Sequence, residues 1–288
     1  KIVHTVEHAH VLANLTINNT RSHVPNIADF EESFSESLGF FKDIPSHRWD
    51  LLKKKVRQMA PNYNTNYAPN KPCHLPGFFQ NNYEPEFVCE HEQRIGRQGD
   101  GGKWTCDPYR ITAQASCIVY SIGSNNDFSF ETHVKKEIGP HCQIHTFDMG
   151  NYAIEAKKAG IQYHQYGLPA NDKGKFRTLS TIIRELGHEG QTIDIFKIDC
   201  EGCEYETLPT WFEANVTLRQ IQLEVHTPRK PTKVVVSLFN MLFRQGYVIT
   251  HKKPNIQHSD GSCVEFAFLK LSPKFFKGMD RTIHIANE

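Results

Sequence analysis

Residues 191–206, QTIDIFKIDCEGCEYE, carry the strongest indication of the fold. The apolar run between Ile193 and Ile198 is long enough for one strand buried on both faces and too short for a helix. Three acidic residues follow at once, with Gly202 among them: Asp199, Glu201 and Glu204. Because ligands bind beyond the carboxyl ends of the strands in open α/β sheets, this position predicts a functional acidic cluster. A solvated acidic loop is the alternative interpretation.

Strand and helix patterns alternate on both sides of this stretch, from residue 117 onward. Strands are predicted at 117–122, 143–147, 161–166, 193–198 and 220–225, helices at 128–138, 152–158, 179–186, 205–212 and 234–245, and a closing antiparallel pair at 247–250 and 263–271. Five βα units with a closing hairpin predict an α/β fold, a doubly wound and mostly parallel seven-stranded sheet of the Rossmann-like kind.

The region before residue 117 predicts two further parts. Helical patterns at 28–44 and 49–59 follow an arm without clear period, so residues 1–62 form a helical and irregular N-terminal extension. Residues 63–116 are rich in Asn, Pro, Gly and aromatic residues and include three cysteines, which predicts an irregular, cysteine-containing segment and a candidate lid. Residues 117–288 then form the ligand-binding domain.

Charge and hydropathy exclude two classes of partner. The net charge is +1, which predicts no electrostatic attraction to nucleic acid. No stretch approaches 18 consecutive apolar residues, so no membrane span is predicted within these residues. The chain begins with a lysine, and we expect a processed or truncated protein whose upstream part could hold a signal or an anchor.

Cysteines and glycosylation triplets together favour a protein of the secretory pathway, which is either held in the lumen of the Golgi or secreted. There are eight cysteines, an even number, and Asn14, Asn18 and Asn215 each begin an Asn-x-Thr triplet. Cys200 and Cys203 have CxxC spacing, but no second CxxC follows, which argues against zinc. The flanking acids argue against a thioredoxin-like redox motif.

The turn after the first predicted strand, YSIGSNND at 120–127, is a candidate ligand-binding turn. Gly123 allows close backbone approach, and Ser124 and Asn125 supply hydrogen bonds before the next helix. The turn lacks the G-x-G-x-x-G spacing, which argues against a nicotinamide dinucleotide. Asp148 ends the second strand, where a ribose-binding carboxylate belongs in such folds. An ordinary turn and a capping acid are the alternatives.

These segments also carry a resemblance to a known family. The set VYSIGSNNDFSFE, IHTFDMG, IDIFKIDCEGCEYE and QLEVH resembles class I S-adenosylmethionine-dependent methyltransferases. More narrowly it resembles methyltransferase family 22, the animal methyltransferase-like proteins related to FkbM-type sugar O-methyltransferases. GGKWTCDP at 101–108 also resembles that group, and the resemblance spans about residues 99–271.

The resemblance implies a role for several residues. It places the methionine part of S-adenosylmethionine at Gly123 and its neighbours Ser121, Ser124 and Asn125, and the ribose at Asp148. It places Asp199 at the methyl-transfer centre, beside Glu201. Many class I enzymes have an acid at the position of Ser121, so the amino group of the cofactor is expected at another acid, Glu131 or Asp199. Tyr166, which ends the third strand, is a candidate adenine neighbour, with packing an equally good account.

Methyl transfer to a hydroxyl needs a general base or a metal. His226 ends the fifth strand, and Glu224 lies on the same side of it at the i and i+2 positions. Two arrangements stay open. His226 is a base oriented by a carboxylate, or Asp199, Glu224 and His226 bind a divalent cation, Mn²⁺ or Mg²⁺. Asp199, Glu201 and His226 are the predicted catalytic residues, and a structural histidine is the alternative for His226.

The sequence leaves other residues with weaker roles. Trp104 and Tyr109 are candidates for a lid over an adenine or sugar ring, with core packing favoured for Trp104. The remaining histidines are predicted to be surface or packing residues. The function expected is O-methylation of a sugar, glycan or other hydroxyl-bearing acceptor. Methylation of a protein or small molecule is the first alternative, and a secreted binding module without activity is the second.

Overall fold

The computed structural model describes residues 27–59, 75–227, 230–256 and 263–281. In these ranges the helices are α1 (Glu31–Glu36), α2 (Ser46–Met59), α3 (Leu75–Asn81), α4 (Pro108–Thr112), α5 (Ser129–Glu137), α6 (Ala153–Lys158), α7 (Leu179–Leu186), α8 (Glu204–Trp211) and α9 (Thr232–Arg244). The strands are β1 (Gln93–Ile95), β2 (Lys103–Thr105), β3 (Cys117–Ile122), β4 (Cys142–Phe147), β5 (Gln162–His164), β6 (Thr192–Ile198), β7 (Thr217–His226), β8 (Tyr247–Pro254) and β9 (Cys263–Lys270).

The central sheet has seven strands in the order β5-β4-β3-β6-β7-β9-β8, which confirms the predicted doubly wound fold. Strands β5, β4, β3, β6 and β7 run parallel, and β9 is antiparallel to β7 and β8. Ile122 pairs with Ile198, and Ile198 pairs with Leu223. Because these residues are level, the turns after β3 and β6 and the end of β7 meet at one edge.

The two faces of the sheet are buried by different elements. Helices α3, α7, α8 and α9 pack on one face and bury large aromatic and aliphatic side chains, among them Phe196, Trp211 and Phe239. The other face is covered by α2, α4, α5 and the antiparallel β1–β2 hairpin, around Trp49, Phe41 and Phe130. Burial on both faces explains why the residues of β6 form a nearly continuous apolar run.

The N-terminal predictions need correction. The helical pattern at 28–44 forms only a 3₁₀ turn and the short α1, followed by turns up to Ile44. The segment predicted as irregular contains α3, the β1–β2 hairpin and α4 within its described part. Most of the predicted N-terminal arm, with Asn14 and Asn18, lies outside the described residues.

Three pairs of cysteines lie at disulfide-bonding distance. Cys89 joins Cys106, Cys117 joins Cys142 at the beginnings of β3 and β4, and Cys200 joins Cys203 in the turn after β6. Cys73 lies outside the described residues. Within the described ranges, every helix is too short or too polar to cross a membrane.

Candidate active site

A cavity of about 770 Å³ opens at the carboxyl ends of the five parallel strands, β3 to β7. It is large enough for a drug-sized ligand. The predicted site residues that line it are Gly123, Ser124, Asn125, Asp148, Tyr166, Asp199, Glu201, Glu224 and His226. The structure therefore brings together nine residues that come from five separate strand ends.

The turn after β3 approaches the turn after β6 so closely that only glycine fits. Gly123 has φ +78°, and a Cβ atom there would lie 1.8 Å from the carbonyl oxygen of Asp199. The Nζ of Lys197 donates a hydrogen bond of 2.6 Å to the Gly123 carbonyl oxygen. Asn125 also has positive φ, a conformation that asparagine tolerates. These contacts fix the backbone of the turn against β6.

Asp148 holds this turn through its carboxylate. Oδ2 accepts hydrogen bonds from the backbone N–H groups of Ser124 (2.7 Å) and Asn125 (2.8 Å), and Oδ1 accepts one from Gly150 (2.8 Å). Burial raises the pKa of Asp148, but these N–H donors outweigh burial and leave the pKa below its ordinary value. Asp148 is thus an ionised residue of the cavity wall that also braces the turn.

The far wall of the cavity is largely apolar. Phe147, Leu168 and Tyr166 line it, and Tyr166 is half-buried. The Arg177 guanidinium lies 5.5 Å from the centre of the Tyr166 ring. A flat aromatic side chain beside apolar neighbours is suited to a planar heterocyclic ring.

Asp199, Glu201 and His226 meet on the opposite wall. Nε2 of His226 lies 3.5 Å from Oδ1 of Asp199 and 3.6 Å from Oε2 of Glu201. Asp199 follows β6 and His226 ends β7, so adjacent strand ends bring them into contact, as the sequence predicted. Glu201 is in the left-handed region at φ +57°, and its side chain is 88% exposed at the rim.

The third acid of the sequence cluster faces inward. Glu204 is fully buried, and its Oε1 accepts a 2.8 Å hydrogen bond from the backbone N–H of His226. Its Oε2 accepts one of 3.0 Å from the N–H of Gly202. Glu204 therefore holds the acidic turn against the end of β7, while Asp199 and Glu201 face the cavity.

His226 is surrounded by carboxylates. Burial lowers its pKa, but Glu204, whose Oε1 lies 3.3 Å from Nδ1, and the charges of Asp199 and Glu224 raise the pKa to about 9. The imidazole is therefore protonated at neutral pH in the absence of a bound cation. A cationic ligand in the cavity would lower this pKa and favour the neutral base.

Lys103 is a site residue that sequence reasoning missed. Its Nζ lies 2.7 Å from Glu224, 3.1 Å from Glu265 and 3.3 Å from Asp199. The residue belongs to β2, outside the main sheet, and is 1% exposed. The one indication of its role in the sequence was that it lies in GGKWTCDP, the segment at 101–108 that precedes the predicted α/β domain.

The carboxylates around Lys103 have different protonation preferences. Burial raises the pKa of Asp199, but Lys103, Lys197 and His226 together lower it to about 2. Burial and the nearby charge of Asp199 keep the pKa of Glu224 above its ordinary value, against the effect of Lys103. Asp199 is thus the ionised member of the pair.

The predicted metal ligands do not fit a divalent cation as they stand. Oε2 of Glu224 accepts from the Lys103 ammonium, and Oε1 accepts from Nδ2 of Asn255 at 3.0 Å. Asp199, Glu201 and His226 form a tighter group, with ligand atoms within 4.8 Å of one another. Since His226 is protonated, it would have to lose its proton to bind a metal.

Four other candidates lie outside the cavity wall. Ser121 is buried beneath the turn, and its hydroxyl has no hydrogen-bond partner among the described residues. Glu131 is buried in α5, accepts from Thr146 at 3.2 Å and does not line the cavity in which the cofactor amino group is expected. Trp104 stacks on His251, and Tyr109 bonds Glu90, so neither covers the cavity.

Several remaining histidines pack beneath the apolar wall. Nδ1 of His145 lies 3.1 Å from Nε2 of His164, and the Tyr120 hydroxyl lies 2.7 Å from Nδ1 of His188. Burial, together with the neighbouring histidines, lowers the pKa of His145 to about 4. These side chains are neutral packing residues. The sequence left open whether they lie on the surface or take part in packing.

A family model for a methyltransferase domain, Methyltransf_22, matches residues 31–270 of the chain. No curated protein matches the chain in sequence.

Three solved structures illustrate the fold similarity. M. capricolum TrmK in complex with S-adenosylhomocysteine is 13% identical, with 57% of this chain and 67% of that chain covered and a TM-score of 0.36. Methanococcus jannaschii fibrillarin pre-rRNA processing protein is 10% identical, with 63% of this chain and 83% of that chain covered and a TM-score of 0.40. An O-methyltransferase family protein from Burkholderia thailandensis is 9% identical, with 58% of this chain and 55% of that chain covered and a TM-score of 0.33.

Proposed function

The chain belongs to the Methyltransf_22 family and is an S-adenosylmethionine-dependent methyltransferase, and we propose that it methylates a hydroxyl of a sugar or glycan in the secretory pathway. The contact between Asp199 and His226 at the cavity wall carries this proposal. An imidazole beside carboxylates, at the edge of a cavity that can hold the cofactor, is suited to taking a proton from an alcohol.

The walls of the cavity suggest how the cofactor is held. The turn at Gly123, Ser124 and Asn125 allows close approach of its methionine part, Asp148 offers a carboxylate to the ribose, and Tyr166 offers a ring to adenine. Asp199 lies on the opposite wall, where its negative charge would face the sulfonium and the amino group. Asp199 would therefore hold the amino group of the cofactor, because Ser121 and Glu131 do not line the cavity.

The bound cofactor supplies an electrophilic methyl group. The chain's own residues orient the acceptor and move its proton. In this proposal Nε2 of His226 takes the hydroxyl proton of the acceptor, and S-adenosylmethionine would supply the methyl group that the acceptor oxygen receives. Because the sulfonium is positive, its presence would lower the pKa of His226 from about 9 and favour the neutral imidazole that accepts the proton.

Two features support a glycan acceptor in an oxidising lumen. The lining of the cavity near His226 is polar and includes Asp100 and the exposed Glu201, whose carboxylates can accept hydrogen bonds from hydroxyls. The three cysteine pairs at bonding distance are typical of secreted and lumenal proteins. Asn215 of the third glycosylation triplet is exposed.

A metal-assisted reaction is the second arrangement. The predicted ligands were Asp199, Glu224 and His226, but Glu224 is paired with Lys103. With Glu201 in place of Glu224, Asp199 and His226 could accept Mg²⁺ or Mn²⁺ once His226 is deprotonated. The ammonium of Lys103, 3.3 Å from Asp199, works against this by placing a cation there already. We therefore favour the metal-free base.

Calorimetry with S-adenosylmethionine is the first test. We expect binding at micromolar to submillimolar concentrations, roughly the range of enzyme substrates. Absence of binding at about millimolar cofactor would instead support an inactive binding module with the same fold.

A panel of acceptors is the second test. Transfer of a labelled methyl group is measured to free glycans, peptides and small alcohols, each with and without EDTA. We expect transfer to a glycan hydroxyl that EDTA leaves unchanged. Transfer to peptides or small molecules alone would support the alternative acceptor, and loss of activity in EDTA would support the metal arrangement.

A further inference from the structure

The β1–β2 hairpin delivers the ammonium of Lys103 into the buried part of the active site. Strand β2 crosses β7, and amide side chains of β7 hold it in place. Gln220 donates to the Cys106 carbonyl (2.8 Å) and accepts from the Cys106 N–H (2.9 Å), while Gln222 donates to the Trp104 carbonyl (3.2 Å). The disulfide between Cys89 and Cys106 fixes the end of the hairpin. The position of Lys103 is therefore set by the fold rather than by a mobile loop.

Three carboxylates from three strands converge on this one ammonium. Asp199 follows β6, Glu224 lies on β7 and Glu265 on β9, and each has an oxygen within 3.3 Å of Nζ. Lys103 has three N–H donors, so it can satisfy all three acceptors at once. Glu265 has further partners in Arg94 (3.0 Å) and Lys253 (3.5 Å), whereas Asp199 and Glu224 depend more on Lys103.

Only part of this cluster reaches the cavity. Asp199 and Glu224 line it, while Lys103 and Glu265 do not. Lys103 thus acts on the cavity through its neighbours and touches neither cofactor nor acceptor. Without the ammonium, two carboxylates would face each other across a buried space, and one of them would bind a proton.

We propose that Lys103 is a positioning residue of the methyl-transfer centre, which fixes the side chains of Asp199 and Glu224 at the cavity wall and balances their negative charges. The inference rests on the proposed role of Asp199 opposite the sulfonium. It makes the hairpin, which lies outside the α/β domain predicted from the sequence, part of the active site.

The test is the pH dependence of S-adenosylmethionine binding in Lys103→Met, measured by calorimetry between about pH 5.5 and about pH 8. Two buried carboxyls that share a proton have one apparent pKa raised into this range. In the wild type the affinity should change by less than about twofold. In Lys103→Met it should fall by about tenfold or more toward the acid end, because the two carboxyls then share a proton and the negative charge facing the cavity decreases. Packing alone would lower affinity equally at every pH.

Lys253→Met is the matched control. Lys253 also contacts Glu265, but its side chain is 31% exposed, and neither Asp199 nor Glu224 is among its ion-pair partners in the described structure. Its pH profile should match the wild type. Wild-type affinity in Lys103→Met at every pH, or the same profile in both variants, would overturn the inference. Failure of the wild type to bind the cofactor would overturn the proposed function instead.

A second pair of variants covers the case in which Lys103→Met does not fold. Lys103→Met/Glu265→Gln removes one charge of each sign from the cluster and is compared with Glu265→Gln alone. We expect the pH dependence in the double variant and not in the single one. Identical profiles in the two proteins would overturn the inference.

Discussion

Beside its apolar wall, the cavity has two polar walls that are built from different chemistry. The turn wall, formed by residues 123–125 and Asp148, fixes its shape with backbone hydrogen bonds and one glycine. The charged wall, formed by Asp199, Glu201, Glu224 and His226, is held by ion pairs with Lys103 and among its own members. The comparison suggests that the turn wall provides geometry for binding and the charged wall provides the electrostatics of the reaction.

The turn wall and the charged wall touch at Gly123, where a substitution should disrupt both walls and have the largest effect. Gly123→Ala places a Cβ into the Asp199 carbonyl at 1.8 Å and strains a backbone at φ +78°. Since neither backbone can yield without moving a strand end, we expect cofactor affinity to fall by at least about 100-fold, as measured by calorimetry.

Gly190→Ala separates the steric effect from strain. Gly190 has φ +73°, and a Cβ there meets nothing within 4 Å. It should lose about 1 kcal/mol of stability and keep its cofactor affinity. Equal effects of the two substitutions on affinity would show that the close approach of the walls is unimportant.

The charged wall alone should be sensitive to removal of the imidazole. We expect His226→Gln to lower the rate of methyl transfer by about 10²- to 10⁴-fold, the range of a lost general base, with cofactor affinity nearly unchanged. Below its pKa of about 9 the base is protonated, so wild-type kcat/KM should rise with pH and level off near or below that value. Rates of methyl transfer, measured against pH for the wild type and for His226→Gln, check both expectations. Full activity in His226→Gln, or a flat wild-type profile, would remove His226 as base.

Acid should weaken the packing beneath the apolar wall before it affects the charged wall. The folded pKa of His145 is about 4 and the ordinary value is 6.5, so the folded state disfavours the proton. Its contribution to stability is complete above about pH 6.5 and is lost as pH falls toward 4, which amounts to about 2 kcal/mol between about pH 7.5 and 5.

Denaturant unfolding at both pH values measures this loss. His145→Phe removes the titrating group, so it should reduce the difference in unfolding free energy between the two pH values. A difference as large as in the wild type would show that other groups cause the acid sensitivity.

The smallest effect is expected from Asp148→Asn. An amide keeps one acceptor oxygen but presents N–H donors to the Gly150 N–H or to the turn. We expect about tenfold weaker cofactor binding, the equivalent of one lost buried acceptor. Asp172→Asn is the control, because Asp172 accepts from Thr178 and Thr181 at the beginning of α7 and does not line the cavity. If both variants bind the cofactor equally well, Asp148 does not shape the turn wall.

The sheet and the charged wall were accessible from the sequence because their signals are local. Buried strands leave apolar runs, and parallel strands must end at one edge, so Asp199 and His226 could be brought together without coordinates. The direction of each side chain was not accessible in the same way. Ser121 and Glu204 belong to the same segments as the cavity residues, yet both are buried away from the opening.

The amino-acid sequence alone determined the α/β fold, the edge at which the site lies and most of the residues along its walls, since each depends on short-range periodicity and strand order. Only the tertiary structure revealed Lys103, which precedes Asp199 by 96 positions and Glu224 by 121. No periodic pattern links residues so distant in the chain. The ion cluster exists because the hairpin crosses β7, and that crossing is set by packing and by the amides of Gln220 and Gln222.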